Sequence, residues 1–466
     1  MLLTTEPDVA PENRIEAWLR RRRLNALILL AGLALLWLLL DSVAALGLAA
    51  AGSQPADRFF VMRLLRPSRI LDPDAREIAS IRGPSRAGYM DRFQADGLLG
   101  HRLVPSFLTT TPPPWGGWVL PSFWFMTNAQ GFPPVERGAA ALRSYAAPKP
   151  QGIFRMVVLG GSTVEGNGVN TPFDSLPAKL TALLQQAFDA APHPGSDRLE
   201  LINAGVSNYA SDQEYLHLLA DILPLQPDLV LVYDGWNDAE VLPAAVAGGP
   251  DTRYYRPQSQ ADNAARANAS VTVSGAFRNF ATVGSGRLLD EADGFATFYG
   301  AHKALNFLIK RIRLLASPVR PGTSKTFDSA PSITAANLFE KNRERMAFLA
   351  RQQGFRLALF LQPVMTVDRK IYAPEEQAAL NGLSALQRQE RDAFYRAVRP
   401  HLADLEQTET VEGKTCFRDL SMDSFVDHRE PVYSDTGHLN AAGNQIMATK
   451  ILATLQSCGV LWPPKN

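Results

Sequence analysis

Five residues stand where apolar runs end or where two polar side chains fall close together. Ser162 follows the run 156–159 and the pair Gly160-Gly161. Gly205 closes the run 199–204 in Asn203-Ala204-Gly205, and Asn237 follows the run 229–233 in Gly235-Trp236-Asn237-Asp238. Asp435 and His438 lie three apart in Asp435-Thr436-Gly437-His438. A serine hydroxyl is a weak nucleophile until a base takes its proton, and histidine titrates near neutral pH. A carboxylate on the other ring nitrogen fixes the tautomer and stabilises the imidazolium. A tetrahedral intermediate then needs donors, for which the N–H groups of Ser162 and Gly205 and the Asn237 side-chain amide are candidates. The set suits acyl transfer through a serine ester.

The elements that must position these residues alternate from about residue 151 onward. Residues 156–159 form a short apolar run ending in glycine, as a buried parallel strand does. Leu176, Leu180, Leu183, Leu184 and Ala187 then recur at helical spacing. Residues 199–204 predict a second strand. Ser211-Asp212-Gln213-Glu214 has the pattern of a capping box, opening a helix to about Ile222. Strands follow at 229–233 and 356–361, with a helix from near Thr334 to Gly354 between them, and 417–425 is a fifth candidate. A last helix is expected over about 440–455. Such alternation predicts an α/β fold, a parallel sheet covered by helices on both faces. Its ligand site lies beyond the carboxyl ends of the strands, where Ser162, Gly205 and Asn237 all fall. Residues 240–330 interrupt the pattern: a polar tract over 248–286, a helical stretch at 295–315, then a Ser/Thr/Pro-rich link. This segment is expected to be an insertion over the site's edge.

Ahead of this region, 52–150 is rich in prolines and aromatics and predicts short strands and loops packed on the main domain. Further upstream, 24–40 is almost wholly apolar and follows Arg20-Arg21-Arg22-Arg23. A run of about 17 such residues is near the minimum for crossing a bilayer, and 42–51 would let it extend. The expectation is a signal anchor over 24–45, a cytoplasmic tail at 1–23 and the remainder outside. A cleaved signal peptide and a buried soluble helix are the alternatives.

Composition narrows the classes. Over 466 residues the chain is 46% hydrophobic and 20% charged, ordinary for a globular protein. Its net charge of +1 lacks the basic excess of a nucleic-acid binder. Cys416 and Cys458 are its two cysteines. They make no Cys-x-x-Cys motif, which argues against a zinc ribbon or thioredoxin-like site; one disulfide or two free buried thiols remain open. No histidine has metal-ligand spacing. Gly160-Gly161-Ser162-Thr163 lacks the Gly-Lys-Ser/Thr ending of a phosphate loop. No cofactor is expected.

Taken together, Gly-x-Ser162, Asn203-Ala-Gly205, Gly235-x-Asn237-Asp and Asp435-x-x-His438 before a final helix resemble the SGNH hydrolases, also called the GDSL esterase/lipase superfamily. The resemblance covers about 151–460. It implies a flavodoxin-like three-layer α/β/α domain, with Ser162 as nucleophile, His438 as base, Asp435 as its partner, and Gly205 with Asn237 in the oxyanion hole. Gly97-Leu98-Leu99-Gly100-His101-Arg102-Leu103-Val104-Pro105 and Thr127-Asn128-Ala129-Gln130-Gly131-Phe132 resemble the preamble of membrane-anchored members. One position departs: Gly161 stands where the usual motif has aspartate. The family also contains O-acyltransferases of exported polysaccharides. Expected partners are therefore an ester-bearing small molecule or polysaccharide and, through the apolar helix, a membrane. A catalytically silent carbohydrate-binding or assembly module is the third reading.

Overall fold

The computed structural model describes residues 11–50, 89–110, 113, 123–190, 195–240, 327–408 and 414–461. The tail at 1–10, the preamble ahead of residue 89, most of 110–118, and nearly all of the insertion with its expected helix at 295–315 lie outside these residues. Two compact units divide the chain: Met1–Ile70 with Ala269–Gly322, and Leu71–Asn268 with Thr323–Asn466.

In the first unit, helix α1 (Pro11–Ala50) runs unbroken through the arginine cluster. Its portion Arg22–Gly47 has 26 residues and a mean hydropathy of 2.4. At 1.5 Å per residue that is about 39 Å, longer than a bilayer's hydrocarbon core of about 30 Å. Leu27, Ile28, Leu35 and Leu39 are all exposed.

The second unit is built on five parallel strands: β5 (Gly152–Gly160), β6 (Ser196–Gly205), β7 (Leu229–Asp234), β8 (Arg356–Leu361) and β9 (Thr415–Asp419). Their spatial order is β6-β5-β7-β8-β9. In order of appearance that is 2-1-3-4-5, the flavodoxin-like arrangement, whose switch point lies between the first and third strands.

Burial on both faces explains the continuous apolar runs. Met156 and Val158 of β5 join the core beneath α3 (Leu176–Asp189) and α9 (Ala441–Ser457), with Leu180, Leu184, Met447 and Ile451. Val157 and Leu159 face the opposite core, with Phe339 and Met346 of α6 (Ala330–Gln353) and Phe394 and Val398 of α8 (Ala385–Thr408). Cys416 of β9 is joined by a disulfide to Cys458 at the end of α9, which settles the alternatives left open by composition.

Three sequence expectations are corrected. The fifth strand is Thr415–Asp419, not 417–425, because Asp419 Oδ1 accepts the Ser421 N–H at 2.8 Å and turns the chain away. The helix α4 (Ser211–His217) is capped at Ala210, so Ser211 lies inside its first turn. Gln213, rather than Glu214, reaches back to the Ala210 N–H at 3.4 Å. Between β8 and β9 stand two helices not anticipated, α7 (Pro374–Asn381) and α8. The second opens on a reciprocal cap: Ser384 N–H to Gln387 Oε1 at 3.0 Å and Gln387 N–H to Ser384 Oγ at 3.2 Å.

The described part of the preamble forms two short antiparallel pairs: β1 (Phe93–Asp96) with β2 (Gly100–Leu103), and β3 (Leu108–Thr109) with β4 (Phe125–Met126). Tyr89, Phe93, Leu99, Phe123 and Phe125 share one apolar cluster with Val206 and Tyr209 from beyond β6. That contact bears on the site.

Candidate active site

Ser162 leaves the end of β5 as the first residue of α2 (Ser162–Glu165), a single turn with Gly161 at its N-cap. Asn237 leaves the end of β7 in α5 (Trp236–Glu240). The two therefore flank the switch point between adjacent strands β5 and β7. His438 and Asp435 arrive on the loop ahead of α9. Within it the Ser434 N–H donates to the His438 carbonyl at 2.8 Å, and Asn440 N–H donates to the Val432 carbonyl at 2.9 Å. Ser434 Oγ ties the loop to the Gly168 carbonyl at 2.6 Å. Gly168 itself has φ +97°, and an added Cβ would lie 2.9 Å from His438 Cβ.

The three side chains form one chain of hydrogen bonds. His438 Nε2 is 2.8 Å from Ser162 Oγ, and His438 Nδ1 is 2.7 Å from Asp435 Oδ2. Asp435 Oδ1 accepts the N–H groups of His438 at 2.8 Å and Gly437 at 3.0 Å. Burial alone would raise the Asp435 carboxyl, but the His438 charge and these hydrogen bonds outweigh it and hold the group below its ordinary value. A carboxylate beside Nδ1 leaves Nε2 as the ring's acceptor toward the serine hydroxyl. Ser162 and His438 are both buried. The Trp236 ring packs edge-on against the imidazole, centroids 4.5 Å apart. Arg391 secures the loop from α8, donating to Thr436 Oγ1 at 3.1 Å.

Gly205 stands at the end of β6, and its N–H donates to Asn203 Oδ1 at 3.0 Å. An added Cβ would overlap the Val164–Glu165 backbone, so this glycine exists to let α2 lie against the end of β6. The turn beyond it is tight. Asn208 has φ +67°, the left-handed region in which asparagine is among the best-tolerated L-residues. No described acceptor takes its N–H. The next residue, Tyr209, accepts Asn237 Nδ2 at its carbonyl, 2.8 Å away.

This turn is held from the preamble side. Glu165 Oε2 accepts the Ser207 N–H at 2.5 Å, and Oε1 pairs with Arg92 Nε at 2.8 Å. Arg92 also donates to Ser207 Oγ at 3.2 Å, as does Asn167 at 3.1 Å. His101 Nε2 meets the Ser207 carbonyl at 2.8 Å, so that nitrogen carries the proton; burial lowers this ring's pKa, in keeping with a neutral imidazole. Tyr209 OH returns to the His101 carbonyl at 2.6 Å.

Beneath Asn237 lies a second set of acids. Asp234, Glu214 and Asp238 are all buried, with Arg343 paired to Asp234 at 2.5 Å. Asp238 Oδ1 accepts the Ser211 N–H at 3.0 Å. Burial, then the charge of Asp234, pushes Asp238 up to about 8, and burial raises Glu214 well above its ordinary value. Neither side chain has a hydrogen bond to the triad; Asp238 ties the turn that carries Asn237 to the start of α4 through Ser211. Among the described residues no group of acids, histidines or cysteines is arranged to hold a metal.

No family model matches the chain. No curated protein matches it either. Solved structures do match. An acetyl xylan esterase is 16% identical, with 64% of this chain and 98% of that one covered and a TM-score of 0.32. A GDSL-like lipase from Bacteroides thetaiotaomicron is 12% identical, with 65% and 88% covered and a TM-score of 0.30. A variant of an acetyl-xylooligosaccharide esterase from Geobacillus is 13% identical, with 65% and 93% covered and a TM-score of 0.32.

Proposed function

We propose that this chain is a membrane-anchored serine esterase of SGNH type that works through an acyl-enzyme. The observation that carries the reading is the unbroken relay Ser162 Oγ, His438, Asp435, with links of 2.8 and 2.7 Å. Ser162 Oγ attacks the ester carbonyl while His438 Nε2 takes its proton. The Ser162 N–H, the Gly205 N–H and the Asn237 amide receive the oxyanion. His438 returns its proton to the departing alcohol, leaving the acyl group on Ser162. Water then attacks the acyl carbonyl while His438 Nε2 takes its proton, and His438 returns that proton to Ser162 Oγ as the Oγ–acyl bond breaks and the acid leaves. Each such donor is typically worth on the order of a hundredfold or more in rate.

The substrate proposed is an O-acetyl or other short acyl ester on a cell-envelope or exported polysaccharide. Two features support a site outside the cytoplasm. The apolar stretch Arg22–Gly47 begins at an arginine cluster, which by the positive-inside rule stays cytoplasmic. The Cys416–Cys458 disulfide suits an oxidising compartment.

The test is acyl-enzyme formation. The full-length protein in detergent is mixed with p-nitrophenyl acetate and quenched, and the peptide bearing Ser162 is read by mass spectrometry. An acetyl adduct on Ser162, absent from Ser162→Ala and from His438→Ala, is the expected result. A folded protein that gives neither adduct nor turnover with this ester and with acetylated polysaccharide overturns the proposal.

A further inference from the structure

We propose that Gly161 is a positioning residue that seats the oxyanion amide: the absence of a side chain there creates the space Asn237 Nδ2 occupies. This rests on the esterase reading and refines its site. Gly161 has φ −84° and ψ −146°, outside the left-handed region, so its backbone alone does not demand glycine. The demand comes from its neighbours. An added Cβ would overlap Asn237 Nδ2 and lie 3.5 Å from Asn237 Cγ and 3.1 Å from the Tyr209 carbonyl oxygen.

The amide is thus bracketed. On one side Tyr209 O takes one of its two hydrogens at 2.8 Å; on the other it rests against the bare Gly161 Cα. The second hydrogen has no acceptor among the described residues. Neither bracket can retreat. Tyr209 is tied by its N–H to the Val206 carbonyl at 3.1 Å and by its hydroxyl to the His101 carbonyl at 2.6 Å. The Gly161 carbonyl accepts the N–H groups of Val164 at 3.1 Å and Glu165 at 3.0 Å. Behind it, Gly160 is itself packed too closely against Val164 and the Tyr233 carbonyl to admit a Cβ. A side chain at 161 would therefore move the amide, not the backbone. Misplacing a catalytic group by about 1 Å can cost on the order of a hundredfold in rate. The departure from the SGNH motif at 161 and the seat of Asn237 are one feature.

A double-mutant cycle tests this. Full-length wild type, Gly161→Ala, Asn237→Ala and the double variant are assayed with p-nitrophenyl acetate, with melting temperatures alongside. Asn237→Ala is expected to lower kcat about a hundredfold. Gly161→Ala is expected to lower kcat tenfold or more with KM within twofold, roughly the effect of a displaced donor. Added to Asn237→Ala, it is expected to change kcat by less than about twofold, since the shortened side chain leaves room. Wild-type kcat in Gly161→Ala, or the same fold loss in both backgrounds, overturns the proposal. If Gly161→Ala alone does not fold, a double variant that folds again supports the steric coupling, and one that does not overturns it. An active wild type with an additive cycle defeats only the Gly161 assignment. A wild type that never acylates Ser162 defeats the esterase reading and this refinement with it.

Discussion

Arg92 and Glu165 form a 2.8 Å salt bridge with neither side chain more than 1% exposed, joining a residue before β1 to the last residue of the turn that Ser162 opens. Glu165 is shared with the Ser207 amide, so the pair fastens both turns that frame Ser162. Arg92→Met would leave a buried carboxylate with no cation. The expected loss is about 3–5 kcal/mol, read by urea unfolding, and Arg92→Met with Glu165→Gln together should recover much of it. A single variant within about 1 kcal/mol of wild type would place the pair among ornamental ion pairs.

Asp435→Asn should leave the fold intact and damage the chemistry. The amide cannot both accept from His438 Nδ1–H and support an imidazolium, so the ring is free to take the unproductive tautomer. A fall in kcat of about 10³–10⁴ is expected, with KM nearly unchanged. A loss under tenfold would mean that Asp435 acts only as the cap that accepts the Gly437 and His438 amides.

Asp238 should tilt the stability of the fold against pH. Its folded pKa, about 8, exceeds its unfolded value, so the native state holds a proton that the unfolded chain releases near pH 4. Its contribution is full below that value and is lost as pH rises through about 8. Asp238→Asn keeps an oxygen for the Ser211 N–H and removes the titration. The variant's melting temperature should fall less than that of wild type between pH 5 and pH 8.5. Equal declines would refute a raised Asp238.

The disulfide closes a loop with a sequence separation of 42. In the chain-entropy model such a loop is worth about 4 kcal/mol. Replacing Cys416 and Cys458 together by serine should lower stability by an amount of that order in denaturant titrations. Activity well below the melting transition should persist, because both cysteines lie in the core and neither belongs to the hydrogen-bonded relay of Ser162, His438 and Asp435.

Much of this architecture is legible in the chain. Strands β5, β7 and β8 lie inside the sheet and are apolar on both faces, so they read as unbroken runs. Strand β9 lies at an edge, and its Arg418 and Asp419 are only half-buried, so the apolar signal drifted to later residues. Helix α8 escaped notice because its buried stripe of Phe394, Tyr395, Val398 and Leu402 is diluted by charged residues and crossed by Pro400. Its Ser384–Gln387 cap was the available signal. Within the site, Ser162, Asp435, His438 and Asn237 were marked by residue type and short spacing. The Gly205 N–H was not legible in its partner, because the fate of a backbone N–H depends on a nearby side chain, here Asn203. The buried arginine that steadies the Ser207 turn lay 73 residues from Glu165, beyond any local pattern.

Ser162 and His438, its proposed base, are separated by 276 residues, and His438 stands on the loop before the last helix. A ribosome that has made the nucleophile, its turn and four of the five strands has still made nothing that can accept a proton from Ser162. Under the proposed topology, the leading part of the chain crosses the membrane while the relay is incomplete. Hydrolytic capacity would begin only when the final stretch arrives and docks on the far side, so the order of synthesis itself would keep the nascent enzyme silent toward cytoplasmic esters. Truncated products ending before residue 438 should be inert for the same reason, however well their sheet forms.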